Sequence, residues 1–207
     1  MPKQVDHEQR REFIASALLR VAAQEGLEGL SLRRIAAEAG VTSGMVQHYF
    51  PTKDAMIHYA MDVAAATFAD GSGAGTESPA SEHDPEPLEE IRTLLSSLLP
   101  TDDARRGAGG VSLAFMSYAM THEAAATRLA EGNARLRGHM VGLLIQARDA
   151  GQVREDVDVN TAAVALLALT DGLGAQALSS CLSLDFALAA LDLHIALLGI
   201  PSGRPDR

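Results

Sequence analysis

Gly40-Val41, set between two short runs that are each amphipathic only as helices, is the feature that most narrows what this chain can fold into. In SLRRIAAEAGVTSGMVQHYFPTK, residues 31–53, Leu32, Ile35 and Ala36 share one face of a helix, and Val46 and Phe50 share one face of the next. Gly40 can take the left-handed conformation that ends the first helix, and Val41 can plug the corner behind it. Ala36 falls where a larger side chain would push the two helices apart. Thr42 or Ser43 is placed to accept a backbone N–H as N-cap of the second helix. Pro51 stops that helix, and Thr52 is placed to cap another that opens with Lys53.

With Val46 and Phe50 inward, Ser43, Gly44, Gln47 and His48 point outward from the N-terminal end of the second helix. In a helix-turn-helix that end enters the DNA major groove. Gln47 can pair with an adenine edge through two hydrogen bonds, Ser43 can donate or accept, Met45 can touch a thymine methyl, and Gly44 lets the backbone come close. Arg33 suits a guanine edge or a phosphate. Tyr49 and Lys53 suit phosphates, setting register without reading sequence. The expected DNA-facing set is therefore Arg33, Thr42, Ser43, Gly44, Met45, Gln47, His48, Tyr49 and Lys53. An ordinary helical hairpin would share the apolar faces but has no need of this turn chemistry.

These residues carry a resemblance. Ile35-Ala36, Ala39-Gly40-Val41, His48-Tyr49-Phe50 and Lys53 make the segment similar to the DNA-binding domain of the TetR family of bacterial transcriptional repressors. That family usually has Tyr where this chain has Gln47, and the exchange would turn a phosphate contact into a base contact. The resemblance implies a homodimer bearing a second domain that binds a small-molecule effector.

The formal charge of the 207 residues is −10, an odd balance for a DNA-binding chain until it is divided along the sequence. Residues 1–53 hold seven basic and six acidic side chains, whereas the remainder holds ten and 21. A near-neutral head on an acidic body would bind DNA through a few placed cations and repel it elsewhere. Aromatics are only 4% and hydrophobics 47% of the chain, dominated by Ala and Leu, which favours helices over strands. Cys181 is the only cysteine, so no intrachain disulfide is expected. No apolar signal core opens the chain, and no run of about 20 apolar residues is free of charge, so a cytoplasmic protein with no membrane partner is expected.

The expected fold is all-α, with about nine helices: an N-terminal three-helix helix-turn-helix domain over 1–53 and a C-terminal helical bundle over 54–207. Residues 1–6 read as a loose arm. A first helix spans about His7 to Gln24, with Phe13, Ile14, Ala17, Leu18 and Val21 as its stripe, and Arg10 and Arg11 lie on a solvated face or reach phosphates. Another helix follows from Lys53 to about Ala69. Asp70 to Pro87, rich in Gly, Ser, Pro and acid, reads as a flexible loop, disordered in preference to a lid. Helices are then expected over Leu88–Leu99, Asp102 to Met120, Glu123–Ala150, Asn160 to Ser180 and Leu184–Leu198.

The last two of these helices each carry two apolar stripes. Ala163, Leu167, Thr170, Gly174 and Ala177 form one, continued by Leu184, Leu188, Leu191, Ile195 and Leu198; Leu166, Leu169 and Leu173, with Phe186, Ala190, Leu193 and Leu197, form the other. A helix apolar on two faces needs two partners. The expected homodimer interface takes the first stripe, at Thr170, Gly174, Ala177, Leu184, Leu188, Leu191 and Ile195. The resulting four-helix bundle would be similar to that of TetR-family dimers, and Asp171-Gly172-Leu173 also resembles their regulatory domain.

For catalysis the chain offers no nucleophile elbow, no phosphate-cradling loop and no His-Glu-x-x-His, and its seven histidines form no metal-ligand cluster. No catalytic residue, metal or cofactor is expected. Phe115, Met116, Tyr118, Met120, Leu136, Met140 and Leu143 make a Met-rich set suited to a ligand pocket or to plain core packing. The expected function is a ligand-responsive regulator, a repressor that binds a pseudo-palindromic double-stranded operator as a dimer. An unknown effector would release it by a pivot of the Lys53–Ala69 helix. The alternative is a helical small-molecule carrier or enzyme with a vestigial helix-turn-helix.

Overall fold

The computed structural model describes residues 2–27, 30–69 and 86–199, and among these the regular structure is helical, with one isolated bridge between Val153 and Gly199. Nine helices follow in order: α1 Pro2–Glu25, α2 Leu32–Ala39, α3 Ser43–Tyr49, α4 Lys53–Ala69, α5 Pro87–Ser97, α6 Asp103–Ala119, α7 Glu123–Asp149, α8 Val159–Leu178 and α9 Leu184–Ala196. The all-α fold matches the expectation. The loose arm does not: α1 already begins at Pro2, a residue whose fixed φ suits a first helical turn. Of the expected loop 70–87, residues 70–85 lie outside the described residues, and Pro87 opens α5.

Packing gathers Met1–Gly75 with Gly107–Gly132 into one compact unit and Thr76–Arg106 with Asn133–Arg207 into another. This division differs from the boundary expected at Lys53. Met56, Ile57, Ala60 and Met61 of α4 are buried in the same core as Ile14, Leu18, Ile35, Val46 and Phe50, and so are Val111, Phe115 and Ala125. A motif ends where its pattern ends, whereas a core ends where apolar side chains run out. At about 1.5–3 kcal/mol for each large apolar side chain buried, the three-helix head would be poorly covered without α4 and parts of α6 and α7. Gly110 serves this packing: a Cβ there would stand 3.1 Å from the Ala23 carbonyl oxygen, so α6 meets the end of α1 backbone to backbone.

The second unit centres on Ile91, Leu95 and Leu99 of α5 and its following turn, Met140 and Leu144 of α7, and Leu166 and Leu191 of α8 and α9. Arg92 pairs with both Asp192 oxygens, at 2.7 and 3.2 Å, tying α5 to α9. Helix α8 is long and apolar enough to span a membrane by length and composition alone, but it carries Asp171 and buries Ala162, Ala163, Leu166 and Leu173 within the unit.

This packing corrects the expected dimer interface. Thr170, Gly174, Ala177, Leu191 and Ile195 are buried within the chain, and Leu184 and Leu188 pack against the same core. The Thr170 hydroxyl donates to the Leu166 carbonyl at 2.8 Å, and Gly174 abuts the Leu99 side chain. The apolar side chains left uncovered are Val164 at 50% exposure on α8 and Phe186, Leu193 and Leu197 at 70%, 57% and 58% on and just after α9. On α8 members of both stripes are buried, Ala163, Thr170 and Gly174 together with Leu166 and Leu173. On α9 two stripes of similar apolarity give no sequence signal for which one faces inward, and the choice is made by what the rest of the unit presents.

Candidate nucleic-acid interface

Local hydrogen bonding builds the α2–α3 turn as its residues require. Ser31 caps α2 by accepting from the Arg34 N–H at 3.1 Å. Gly40 ends it at φ 66°, in the left-handed region, and the Val41 N–H reaches back to the Ala36 carbonyl at 2.9 Å. Of the two possible caps for α3, Thr42 is the one used: its hydroxyl accepts from the Met45 N–H at 3.2 Å. Val46 and Phe50 are buried, and Thr52 caps α4 by accepting from the Ala55 N–H.

The outward face of α3 is polar and open. Ser43, Gly44, Met45, Gln47 and His48 are exposed, as are Thr42 and Arg33, and Tyr49 is half-buried. Among the described residues the side chains of Arg33, Ser43 and Gln47 have no hydrogen-bonding partner within the chain, so their donors and acceptors are free for an outside surface. Gly44 is informative because the fold does not need it: an added Cβ would meet only the Thr42 hydroxyl, at 4.0 Å. A glycine inside a helix costs roughly 0.5–1 kcal/mol against alanine. Its use here suits close approach by something outside the chain.

Two expected contacts are more constrained. Lys53 is half-buried and its Nζ donates to the Leu27 carbonyl at 3.1 Å, so a phosphate would have to share or take over that cation. Tyr49 lies against two imidazoles, with ring centroids 4.7 Å from His7 and 5.2 Å from His48. His7, on α1, was invisible as part of this surface because nothing in the local pattern of α1 points to α3. Arg11 takes neither expected role: its guanidinium lies over the Tyr59 ring at 4.3 Å and the Phe50 ring at 5.2 Å, where it helps join α1 to α4.

Behind the turn runs an ion-pair chain. Glu38 accepts from Arg20 Nε at 2.9 Å and from Arg34 Nη1 at 3.2 Å, and Arg34 also holds Glu25 at 2.8 Å. Hydrogen bonds from Arg20 first and Arg34 second hold the Glu38 carboxyl below the usual range, and Arg34 is raised by Glu25 and then Glu38. These cations are spent on orienting α2 against α1, which leaves Arg33 as the outward-facing arginine of that helix.

The expected ligand lining is not gathered within either unit. Phe115 is buried beside the reading head, with Tyr118 packed at the edge of the same core. Met140 and Leu143 are buried in the other unit. Met116 and Met120 are 39% and 80% exposed, and Leu136 is half-buried. Met and aromatic residues at helical spacing fill cores as readily as pockets, and here the division between cores falls across α6 and α7. The second unit does hold an open pocket of about 350 Å³, between Pro100, Arg106 and the α8–α9 turn at Ser180, Leu182 and Leu184; of the expected lining residues none borders it.

Comparison with known proteins agrees with this geometry. Residues 14–60 match the family model for bacterial regulatory proteins of the tetR family, and residues 87–199 match that for the C-terminal region of BetI-type transcriptional repressors. The chain is 32% identical over 178 residues to the HTH-type transcriptional regulator PksA of Bacillus subtilis, covering 86% of this chain and 83% of that protein. It is also 32% identical to the HTH-type transcriptional regulator BetI of Burkholderia thailandensis, with 84% of each chain covered. Among solved structures, a transcriptional regulator from Rhodococcus sp. Rha1 superposes with a TM-score of 0.76 at 31% identity, over 91% of this chain and 95% of that one. A regulator from Saccharomonospora viridis, solved in complex with choline, shares the fold with a TM-score of 0.80 at 22% identity, over 91% and 96% of the two chains. The chain belongs to the TetR family of helix-turn-helix transcriptional regulators.

Proposed function

We propose that this regulator is a homodimeric repressor whose two α3 helices read the half-sites of a pseudo-palindromic operator, and that a small molecule bound in its C-terminal region releases it. The observation that carries the reading is the outward face of α3, where among the described residues the Gln47 and Ser43 side chains have no intrachain partner and packing does not require Gly44. Gln47 reads an adenine edge, Ser43 and Met45 its neighbours, and Arg33, His48 and Tyr49 hold the backbone, with Lys53 joining them once it leaves Leu27. One such helix makes too few contacts to choose a site; two on a two-fold axis read half-sites about 34 Å apart. The uncovered face of Val164, Phe186, Leu193 and Leu197 supports the pairing of two copies. The protein acts in the cytoplasm, on double-stranded DNA.

The effector is open. The choline seen in the Saccharomonospora viridis regulator makes quaternary ammonium compounds worth screening. However, the only aromatic side chain within Thr76–Arg106 and Asn133–Arg207 is Phe186, which is 70% exposed, so that unit cannot by itself assemble a cage of aromatic faces around such a cation.

Selection from a random DNA pool tests the reading. A two-fold-symmetric site should be enriched, and Leu193→Asp should yield a folded monomer by sedimentation that no longer holds that site. Failure to enrich any sequence, or equal binding by the monomer, would overturn it. Thermal-shift screening of small molecules followed by release from the selected DNA would identify the effector.

A further inference from the structure

Helix α4 is fastened on two sides. Toward the reading head, Lys53 Nζ donates to the Leu27 carbonyl and the Tyr59 hydroxyl donates to Glu8 Oε1 at 2.6 Å. Away from it, two acids of α4 hold side chains from α6 and α7. The Tyr118 hydroxyl donates to Asp54 Oδ1 at 2.6 Å, and Arg128 Nη1 donates to both oxygens of Asp62 at 2.8 Å. Tyr118 is itself held in place: its ring stacks on His122 with centroids 3.7 Å apart and planes 14° from parallel, and His122 Nδ1 lies 2.9 Å from the Tyr118 carbonyl oxygen. Burial, and then the Asp54 hydrogen bond, push the Tyr118 hydroxyl up to about 12, so it remains a donor at any ordinary pH. All of these residues belong to the compact unit that contains the helix-turn-helix. Helices α6 and α7 each continue unbroken beyond that unit, past Gly107 and Gly132.

We propose that Tyr118 and Arg128 are positioning residues for DNA reading: their straps to Asp54 and Asp62 join α4, the second half of α6 and the first turns of α7 to the helix-turn-helix as one body. The inference rests on the operator-reading role proposed above, and it replaces the pivot of α4 expected from the sequence. If α4 is strapped to both neighbours, it does not swing between them. A displacement arriving along α6 and α7 carries the whole head with it. The chemistry suits orientation better than stability. Arg128 and Asp62 are 40% and 55% exposed, and exposed pairs of this kind add little to global stability. A guanidinium nitrogen held between both carboxylate oxygens and a phenol–carboxylate hydrogen bond nevertheless fix where the side chains sit. Asp54 directly follows Lys53, so the first strap ends beside a proposed phosphate contact.

The test uses the full chain carrying Tyr118→Phe, Arg128→Gln, both together, and the charge swap Asp62→Arg with Arg128→Asp. Tyr118→Phe keeps the ring and its stacking on His122, so the fold is preserved. Hydrogen exchange should speed up about tenfold over residues 115–124 in the double variant and leave α1 unchanged. On the selected operator, adding or removing one base pair between half-sites should cost the wild type about thirtyfold in affinity and the double variant less than about threefold. The charge swap should recover discrimination that Arg128→Gln loses. Unchanged exchange in the double variant overturns the joined body, and faster exchange with full spacer discrimination overturns the positioning role. If the wild type selects no operator, the proposed function falls while the exchange experiment still decides whether the straps hold.

Discussion

Helix α3 buries Val46 and turns Ser43, Gly44, Met45, Gln47 and His48 outward, whereas α9 buries one apolar face and leaves a second uncovered at Phe186, Leu193 and Leu197. The first helix has one way to sit and the second has two. In α3 the hydrophobic effect alone decides orientation, because any rotation would expose Val46 and bury hydroxyl, amide or imidazole. In α9 rotation exchanges leucines for leucines. The deciding energy lies in fit, such as Ala187 and Leu191 in the core and Asp192 paired with Arg92 of α5.

The largest effect should come from breaking that comparison on α9. Leu191, fully buried, should cost about 2–5 kcal/mol of unfolding free energy as Leu191→Ala, while Leu193→Ala, two residues on, should leave chemical denaturation of the separated chain nearly unchanged. Equal losses would mean that the inward face has been misassigned. On α3, Gln47→Ala should lose about 1–3 kcal/mol of binding to the selected operator and relax its sequence, whereas Lys53→Ala should weaken all duplexes alike and flatten the salt dependence. Matching losses on every sequence for both variants would erase the division between base reading and phosphate contact. Gly44→Ala should raise unfolding stability by about 0.5–1 kcal/mol and still reduce operator affinity; a tighter binder would show that the backbone does not need the space.

The smallest effect concerns pH and the frame behind the turn. Glu38, held below its ordinary value of 4.5 by Arg20 and then Arg34, contributes stability that is present above that value and lost as pH falls through its lower folded value. Acid unfolding should therefore steepen below about pH 4.5 in the wild type, and Glu38→Gln should flatten that limb in circular-dichroism titration. A variant with the same acid limb as the wild type would exclude Glu38 from it.

The head was legible because its instructions are local. Ser31, Gly40 and Thr42 each satisfy backbone groups within a few residues, and the apolar spacing of Ile35, Val46 and Phe50 has one solution. What escaped reading was made by distant partners. Lys53 finds Leu27 across 26 residues, His7 finds Tyr49, and Arg11 slides over Tyr59, none of which leaves a trace in spacing. The ligand set is divided for a related reason. Phe115 and Met140 look alike as members of an apolar stripe, yet they enter different cores.

By itself, then, the sequence determined an all-α chain, its turn, its caps and the polar face of α3, since period, glycine and hydroxyl placement act within one or two helical turns. Only the tertiary structure decided that both stripes of α8 and one of α9 are inside, where the head ends, and that α4 is strapped by Tyr118 and Arg128. Those choices depend on shape and on pairs more than 60 residues apart, and a one-dimensional pattern of apolar and polar residues has no coordinate in which to record them.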